Sequence, residues 1–532
     1  MKRLWFKHIK LLIISLILIS TTSAVQISYE FLKGILLDTA LSKNESKLMI
    51  FVGILIVISL IKAFTHYLYS RNFNVLMVRS LADLRMAIMK SLLKRSHPEF
   101  MERKTGEYLS MYTNQIDTIQ YSYYRSIFGL LQIITETIFA IVGLLIIEWR
   151  LAIVAILLLI PVIFIPLLMK GLISRIQKKK LEYIDQHIGR FTEWISGIEI
   201  INNYGAKRRF FNLFSKDTKK VEKYGVELGM VNHLSYSIST FLTQLSLIGM
   251  IIVAAAFLLE RSFSVGMFFA AVSIMEKLNT QVVHITNYAQ ALMGARVAIK
   301  NVNDEINFKI RHKDSSNSIN SVSNISFDNI DYSYKDSPER KVIKDFSWSI
   351  GERGAYLISG ESGCGKSTLM NLLQNYYSVN KGKICINGVK VDNIKNLSET
   401  ITIMRQETTF FEDTLRNNLT MYQSIPDSKI IELMNQLGLE KYGNTEALNS
   451  TVLNGGSNFS GGEARRLSFV RCLLKDSDIL ILDEPLANVD PKSIEKIVET
   501  IFSLSKRYIF VITHQTTDKM EENCVEHIHL SI

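Results

Sequence analysis

Cysteine is scarce in this sequence: the 532 residues contain four, Cys364, Cys385, Cys472 and Cys524, and none precedes position 364. Their spacing includes no pair of the kind that ligates zinc or builds a disulfide framework. The shortage gives no support to a disulfide-stabilised domain or a zinc site. It also excludes an N-terminal cysteine peptidase, because that half has no thiol nucleophile. The absence of paired cysteine spacing favours a reducing, cytosolic compartment for the second half of the chain.

Excess basic charge is confined to the first half. Residues 1–300 contain 35 Lys and Arg against 19 Asp and Glu, whereas residues 301–532 contain 26 against 31. In a nucleic-acid-binding protein the cations would line one face of a soluble domain. Here they separate long apolar runs, so the sequence predicts a membrane protein that does not bind nucleic acid. Internal repeats and low-complexity tracts are absent.

Six stretches are apolar over about 20 residues, the length an α-helix needs to cross a bilayer. Two breaks between them, 148–150 and 260–264, are short enough to be tight hairpins. The expected spans are 11–31, 48–69, 126–147, 151–169, 238–259 and 265–283.

The distribution of Lys and Arg predicts the topology of these spans. The N-terminus and the long segments 70–125 and 170–237 contain 26 of them, whereas the opposite loops contain five: Lys33, Lys43, Lys47, Arg150 and Arg261. Positive residues concentrate on the cytosolic side. We therefore expect a multi-pass protein of the cytoplasmic membrane, with the N-terminus and the C-terminal half in the cytosol.

The first span has a second interpretation. "MKRLWFKHIKLLIISLILISTTSA" has the basic start, apolar core and small residues of a cleaved signal peptide. Apolar residues continue through Val25, Ile27 and Phe31. That length favours an uncleaved first helix.

Beyond the last span the pattern changes. A polar stretch, "RHKDSSNSINSVSN" at 311–324, is typical of a linker. Short β-rich runs such as "GAYLIS" and "RYIFVITH" then alternate with helical stretches, which predicts a parallel sheet with flanking helices. We expect a membrane domain at 1–305, a linker at 306–324 and an α/β nucleotide-binding domain at 325–532.

The segment "GESGCGKST" has the spacing of a phosphate-binding loop between a strand and a helix. Its glycines let backbone N–H groups surround phosphate oxygens at a helix N-terminus. The lysine would reach the β- and γ-phosphates of ATP, and the serine would ligate Mg²⁺. The expected ATP-binding residues are Gly360, Glu361, Ser362, Gly363, Cys364, Gly365, Lys366, Ser367 and Thr368.

Two further strand ends carry reactive side chains. Asp483 and Glu484 follow the apolar run of "DILILDEP", where adjacent carboxylates could simply cap the next helix. With a phosphate loop upstream, we expect Asp483 to hold Mg²⁺ and Glu484 to polarise the attacking water. His514 in "FVITHQ" also ends a strand, where ligands bind in parallel sheets, although a lone histidine is usually structural.

A second glycine-rich turn lies in "FSGGEARRLSFVRCLL" at 459–474. It favours the nucleotide-binding interpretation of the strand-end residues over a purely structural one. With it, the sequence from Ile325 to His514 resembles the ATP-binding cassette (ABC) transporter family. The resemblance implies that two cassettes dimerise head to tail. ATP would then be held between the phosphate loop of one copy and a turn of the other, formed by Ser460, Gly461, Gly462 and Glu463.

The resemblance assigns roles to single residues. It implies that Tyr334 stacks on adenine and that His514 contacts the γ-phosphate. It also implies that Gln406 ligates Mg²⁺, senses the γ-phosphate and contacts the membrane domain, and that Asp490 belongs to the loop that couples the two sites. Tyr334 could also be an ordinary strand-surface tyrosine. Since no expected catalytic residue is missing, a homodimer is favoured over pairing with a sister subunit. Glu463 replaces the commoner glutamine. "TVLNGGSNFSGG" at 451–462 resembles the corresponding segment of peptide and lantibiotic exporters, except that a glutamate usual there is missing.

The membrane half resembles the half-transporters of ABC exporters. Segments 100–119 and 194–211 are similar to that family's two coupling regions. The expected function is ATP-driven export of a small or modified peptide such as a bacteriocin. The alternatives are a lipid or drug exporter, or a non-transporting sensing ATPase. Four ionisable residues within the spans are candidates for the substrate pathway or for wet helix ends: Lys62, Glu136, Glu276 and Lys277.

Overall fold

The computed structural model describes residues 7–95, 97–103, 105–260, 263–308, 317–334, 337–514 and 516–530. The chain divides into two units, Met1–Leu93 with Arg103–Phe308, and Lys94–Glu102 with Lys309–Ile532. Residues 309–316 of the expected linker lie outside the described residues. Beyond them, Ile319 and Val322 are buried in the core of the second unit.

Long helices make up the first unit. In chain order the helices are α1 Ile9–Leu41, α2 Glu45–Leu92, α3 His97–Met101, α4 Thr105–Ile147, α5 Trp149–Ser196, α6 Ile198–Asn203, α7 Lys207–Leu259 and α8 Val265–Ile306. Of these, the short helix α3 belongs to the second unit. Within α4, Met111–Gln115 and Ile119–Tyr124 are π-helical.

The structure does not confirm a count of six spans. Among the described residues, α1, α2, α4 and α7 are long and apolar enough to cross a membrane. In α5, which continues to Ser196, the apolar stretch covered by the described residues is Trp149–Ile165. In α8 the polar residues Glu276, Lys277 and Asn279 interrupt the apolar run. Because α1 continues to Leu41, Lys33 lies within a helix and not in the loop where the sequence placed it.

Helices α1 and α8 approach each other closely near the end of α1. The side chain of Asp38 accepts a hydrogen bond from the Ser264 hydroxyl and one of 2.7 Å from the Gly266 amide. Ser264 itself caps α8 through the Met267 amide. A Cβ added to Gly266 would lie 2.0 Å from the carbonyl oxygen of Gly34. Only glycine permits this backbone contact, and small residues serve the same purpose in membrane helix pairs generally.

Gly266→Ala is expected to destabilise the transmembrane unit by about 1–3 kcal/mol, because the new methyl group forces α1 and α8 apart. Thermal unfolding of the detergent-solubilised protein measures the loss. Gly53→Ala is the matched control, since a Cβ there meets nothing within 4 Å. Equal unfolding temperatures for the two variants would contradict the close contact.

The second unit contains two sheets. A four-stranded antiparallel sheet has the order β2-β1-β4-β5, and a five-stranded parallel sheet has the order β6-β7-β8-β3-β9. The strands are β1 Ile325–Ser333, β2 Lys341–Ile350, β3 Gly354–Gly360, β4 Lys381–Ile386, β5 Val389–Lys390, β6 Ile401–Met404, β7 Ile479–Asp483, β8 Tyr508–Ile512 and β9 Glu526–Leu530. The parallel sheet confirms the α/β interpretation, whereas the antiparallel sheet was not foreseen.

Helices cover both faces of the parallel sheet. Those of the second unit after α3 are α9 Lys366–Leu373, α10 Leu397–Thr400, α11 Leu415–Thr420, α12 Asp427–Gln436, α13 Thr445–Asn449, α14 Gly461–Leu474, α15 Pro491–Ser503 and α16 Asp518–Asn523. Every residue of β7 and β8 is buried, as expected of continuous apolar runs in a sheet covered on both sides. The carboxyl ends of β3, β7 and β8 therefore meet at one edge, where parallel sheets bind ligands.

Candidate active site

The loop between β3 and α9 is wrapped around the Lys366 ammonium. Its Nζ donates hydrogen bonds to the carbonyl oxygens of Gly360, at 2.8 Å, and Glu361, at 2.9 Å. Gly363 and Gly365 have φ of +86° and +101°, which other residues rarely adopt. A Cβ at Gly360 would lie 2.2 Å from the Leu530 carbonyl oxygen. The loop thus has the curvature of an anion-binding turn at a helix N-terminus, as the sequence predicted.

A cavity of about 950 Å³ opens beside this loop. It brings together residues that are far apart in the sequence, at the carboxyl ends of three strands. The sequence-predicted residues that line it are Tyr334, Ser362, Gly363, Cys364, Gly365, Lys366, Ser367, Thr368, Gln406, Asp483, Glu484 and His514.

Asp483, the last residue of β7, is buried beside the Ser367 hydroxyl. Burial raises the pKa of this carboxyl, and Arg405, the Ser367 hydroxyl and Lys366 oppose the shift. A carboxylate and a hydroxyl are the hard oxygen ligands that Mg²⁺ takes beside substrate phosphates. Asp483 and Ser367 supply one ligand of each kind, so this pair fits Mg²⁺ bound together with ATP.

Glu484 is held in an unusual conformation next to His514. Its φ is +56°, and its amide donates a 2.8 Å hydrogen bond to the Ile512 carbonyl at the end of β8. The carboxylate Oε1 lies 3.7 Å from His514 Nε2. Left-handed backbone at a residue other than glycine is kept where surrounding contacts impose it, often in active sites. Here it directs the Glu484 carboxylate into the cavity.

Tyr334 lies at another wall of the cavity. Its hydroxyl is 2.8 Å from the Thr368 Oγ1, and its ring packs edge-on against Tyr332 and Tyr377. These contacts fix an aromatic ring close to the phosphate loop. Stacking of adenine on Tyr334 stays a prediction.

The second glycine-rich turn does not line this cavity. Ser460 caps α14 through the Glu463 amide, and the Glu463 carboxylate accepts the Ser460 amide at 2.9 Å, a complete capping box. Burial tends to raise the pKa of Glu463, but the Ser460 amide and Lys441 bring it below its usual value. Glutamate at this position, where glutamine is commoner, thus has a structural role.

The turn is also tied to the loop containing Asp490. Arg466 Nη1 lies 3.2 Å from the Asp490 carboxylate, which caps α15 through the Ser493 amide at 3.0 Å. A Cβ at Gly462 would approach the Asn488 carbonyl oxygen to 3.0 Å. The two predicted dimer-facing elements therefore form one block that is separate from the cavity of the same cassette.

Comparisons with known proteins agree with this geometry. Residues 12–282 match the family described as ABC transporter transmembrane region, and residues 343–487 match the family described as ABC transporter. The chain belongs to the ABC transporter family. Its transmembrane region and its ATPase cassette are fused in one polypeptide, as in exporter half-transporters, and the protein is an ATP hydrolase that spans the membrane with a cytosolic cassette.

The relatives of this ABC transporter cover nearly the whole chain. The multidrug resistance-like ATP-binding protein MdlB of Buchnera aphidicola subsp. Acyrthosiphon pisum (strain APS) is 25% identical over 97% of this chain and 90% of its own. The ATP-dependent lipid A-core flippase of Syntrophus aciditrophicus (strain SB) is 26% identical, and the match covers 94% of this chain and 85% of the flippase. A bacterial Atm1-family ABC exporter with ATP bound has the same fold, with a TM-score of 0.83 and 17% sequence identity. The match covers 98% of this chain and 93% of that exporter's chain.

Sequence reasoning missed Arg465, which lies behind Glu484, a residue expected from the sequence to be catalytic. Its nearly buried guanidinium donates to the carbonyl oxygen of Glu484 and, at 2.7 Å, to that of Gln406. Burial lowers the pKa of Arg465, and Glu484 and Asp483 oppose the shift. A rigid planar fork suits two acceptors at once. The only signal in the sequence was its place in the helix after the glycine-rich turn.

A short helix of the cassette unit begins before segment 100–119, which the sequence predicted as the first coupling region. Helix α3 is part of the cassette unit, and the His97 ring centroid lies 4.8 Å from that of Tyr376. Arg405 stacks on the Tyr376 ring at 5.3 Å and donates to the Asn371 side chain at 2.9 Å. Burial and the charge of Arg405 lower the pKa of His97. Arg405 thus contacts the ring that receives α3, and it acts electrostatically on Asp483.

Arg465→Gln is expected to lower the kcat of ATP hydrolysis by about 10- to 100-fold with little change in the KM for ATP, because it displaces the backbone of Glu484 without touching the nucleotide. Steady-state ATPase kinetics of the purified transporter separate the two parameters. Arg471→Gln is the matched control: Arg471 lies on the same helix and donates to the carbonyls of Asn418 and Thr409, which do not line the cavity. Equal loss of kcat in both variants would contradict a positioning role.

Proposed function

We propose that two copies of this transporter form an ATP-driven exporter in the cytoplasmic membrane, with two ATP sites that each use residues of both chains. One observation carries the proposal: the turn at Ser460 is exposed and lies outside the cavity that contains the phosphate loop. Each cassette therefore holds two complementary halves of a site. Head-to-tail pairing of identical chains completes both.

The cavity residues divide the chemistry of hydrolysis among them. On ATP entry the Lys366 ammonium exchanges the carbonyls of Gly360 and Glu361 for phosphate oxygens. Ser367 and Asp483, with Gln406 alongside, would hold Mg²⁺, and the bound ion would supply positive charge to neutralise the phosphates. The Glu484 carboxylate orients the attacking water and accepts its proton. The imidazole of His514 donates a hydrogen bond to the γ-phosphate, and the Ser460 turn of the partner chain closes the site.

An exposed apolar helix supports the pairing of two chains. In α6, Ile198 and Ile200 are 54% and 64% exposed, and the following Tyr204 is 84% exposed. Apolar patches of this kind mark protein contacts. We assign α6 to the cassette of the partner chain, whereas α3 contacts its own cassette. Closure of the ATP sites then moves helices of both chains.

Mixed dimers test the composite site. Co-expression of a Lys366→Ala chain with a Ser460→Arg chain is expected to restore about half the ATPase activity per mixed dimer, because both lesions fall in one site and leave the other intact. Each variant alone has no intact site. Differently tagged chains, purified in tandem, allow the mixed dimer to be assayed by itself.

The matched control pairs Lys366→Ala with Glu484→Gln. Lys366 and Glu484 line the cavity of their own cassette. In this mixed dimer each of the two sites therefore contains one substitution, and we expect no ATPase activity. Recovery in this control, or none in the first combination, would contradict head-to-tail sites.

For the cargo we propose an amphipathic lipid or drug-like molecule. The relatives described above are named as a multidrug resistance-like protein and a lipid A-core flippase. Inside the bundle, Glu136 accepts hydrogen bonds from Gln132, at 2.7 Å, and from Gln281. Such a polar cluster suits a cargo with polar groups. A peptide is the second candidate, favoured only by the resemblance of segment 451–462 to peptide exporters.

Comparing cells that carry the native protein or Glu484→Gln should reveal the cargo, because the variant is expected to bind ATP but to hydrolyse it poorly. Mass spectrometry of extracellular and intracellular lipids, small molecules and peptides is the measurement. We expect a lipid-like compound to disappear outside and accumulate inside with the variant. A displaced peptide would establish the second candidate, and unchanged profiles would favour a non-transporting, sensing ATPase.

A further inference from the structure

Lys62 places a cation inside an apolar span. It lies about 25 Å along the helix axis from Glu45, the first residue of α2, at a rise of 1.5 Å per residue. From there α2 continues to Leu92 and leads to α3, which belongs to the cassette unit. With a hydrocarbon core about 30 Å thick, Lys62 lies in its cytosolic half. A charge at this depth is costly and is kept where it has a partner.

The protein supplies Lys62 with an aromatic ring but no carboxylate. Its Nζ lies 5.1 Å from the centroid of the Tyr29 ring, and in the described part of the chain no Asp or Glu is within ion-pair distance. Lys33, 5.4 Å from the same ring, is paired with the buried Glu30. The cluster therefore has one uncompensated positive charge, located at Lys62.

An apolar groove begins next to this charge. A cavity of about 380 Å³ between α1 and α2 is lined by Tyr29, Leu36, Val52, Leu55, Ile56, Ser59 and Leu60. Its volume lies within the range of about 300–1,000 Å³ typical of ligand sites. In the most apolar 18-residue stretch of α2 no residue is buried within the chain. The groove is thus open to the bilayer from the level of Tyr29 outward to Leu36 and Val52.

We propose that this groove binds a membrane lipid with an anionic head group. The phosphate pairs with the Lys62 ammonium, and one hydrocarbon chain extends outward along Leu60, Ile56 and Val52. In this orientation the head group faces the cytosol and the hydrocarbon chain points toward the bilayer centre, as in a lipid of the cytosolic leaflet. The site combines charge complementarity at one end with apolar surface along the rest, and it does not depend on which cargo the transporter moves.

Native mass spectrometry of the transporter released from nanodiscs tests the site without ATP, so its outcome is independent of the proposed transport. The nanodiscs contain phosphatidylcholine with increasing phosphatidylglycerol. We expect phosphatidylglycerol to bind in preference to phosphatidylcholine. Lys62→Gln should weaken its binding about tenfold, the effect of losing one charge-assisted hydrogen bond.

Lys47→Gln is the matched control, because Lys47 is an exposed lysine at the outer end of the same helix. It should leave binding unchanged. If Lys47→Gln weakens binding and Lys62→Gln does not, the lipid is held from the outer leaflet and the proposal is wrong.

Ser59→Phe provides a variant that keeps every charge but fills the groove. It should weaken phosphatidylglycerol binding while the dimer fraction stays constant. Unchanged binding in both Ser59→Phe and Lys62→Gln would refute the site. A shift from dimer to monomer in Ser59→Phe, without an effect on bound lipid, would show that a second copy covers the groove instead.

Discussion

The parallel pairing of β3, β7 and β8 is the constraint on which the chemistry of the cassette depends. These strands are buried on both faces, throughout β7 and β8 and over residues 355–358 of β3, so the core fixes their register. Because all three strands run in the same direction, the polar residues that follow their carboxyl ends meet at one edge of the sheet. The phosphate loop, the carboxylates of Asp483 and Glu484 and the imidazole of His514 are neighbours for this reason alone.

Arg465 connects that edge to the helical part of the cassette. It joins the backbone of Glu484 and Gln406 to α14, the helix that starts at the Ser460 turn. Through Arg466 the same helix also holds Asp490. In the proposed dimer, a displacement of the Ser460 turn by a partner cassette would therefore act on the backbone of Glu484 in the same chain. This contact would let occupancy of one proposed site be sensed at the other.

Polar contacts in the membrane unit are satisfied at specific points between helices. The Ser246 hydroxyl donates to the buried Asn279 side chain at 2.7 Å, and the Asn279 amide donates to the Thr243 carbonyl at 3.0 Å. Glu136 receives two amide donors, and Asp38 two donors at the start of α8. In lipid such groups have no water to bond, so each contact that joins two helices fixes their register. Lys62 differs from them because its ammonium lies over the Tyr29 ring and donates no hydrogen bond within the described part of the chain.

The sequence by itself determined the phosphate loop, the strand-end carboxylates and the division into an apolar basic half and an α/β half, since these depend on local spacing and composition. Its prediction of the spans is confirmed only in part: Lys33 lies in α1, and four of the six spans are identified among the described residues. Only the tertiary structure revealed Arg465 behind Glu484 and the docking of α3 on the cassette. It also separated the Ser460 turn from the cavity. These depend on contacts between residues distant in the chain, and no local pattern specifies them.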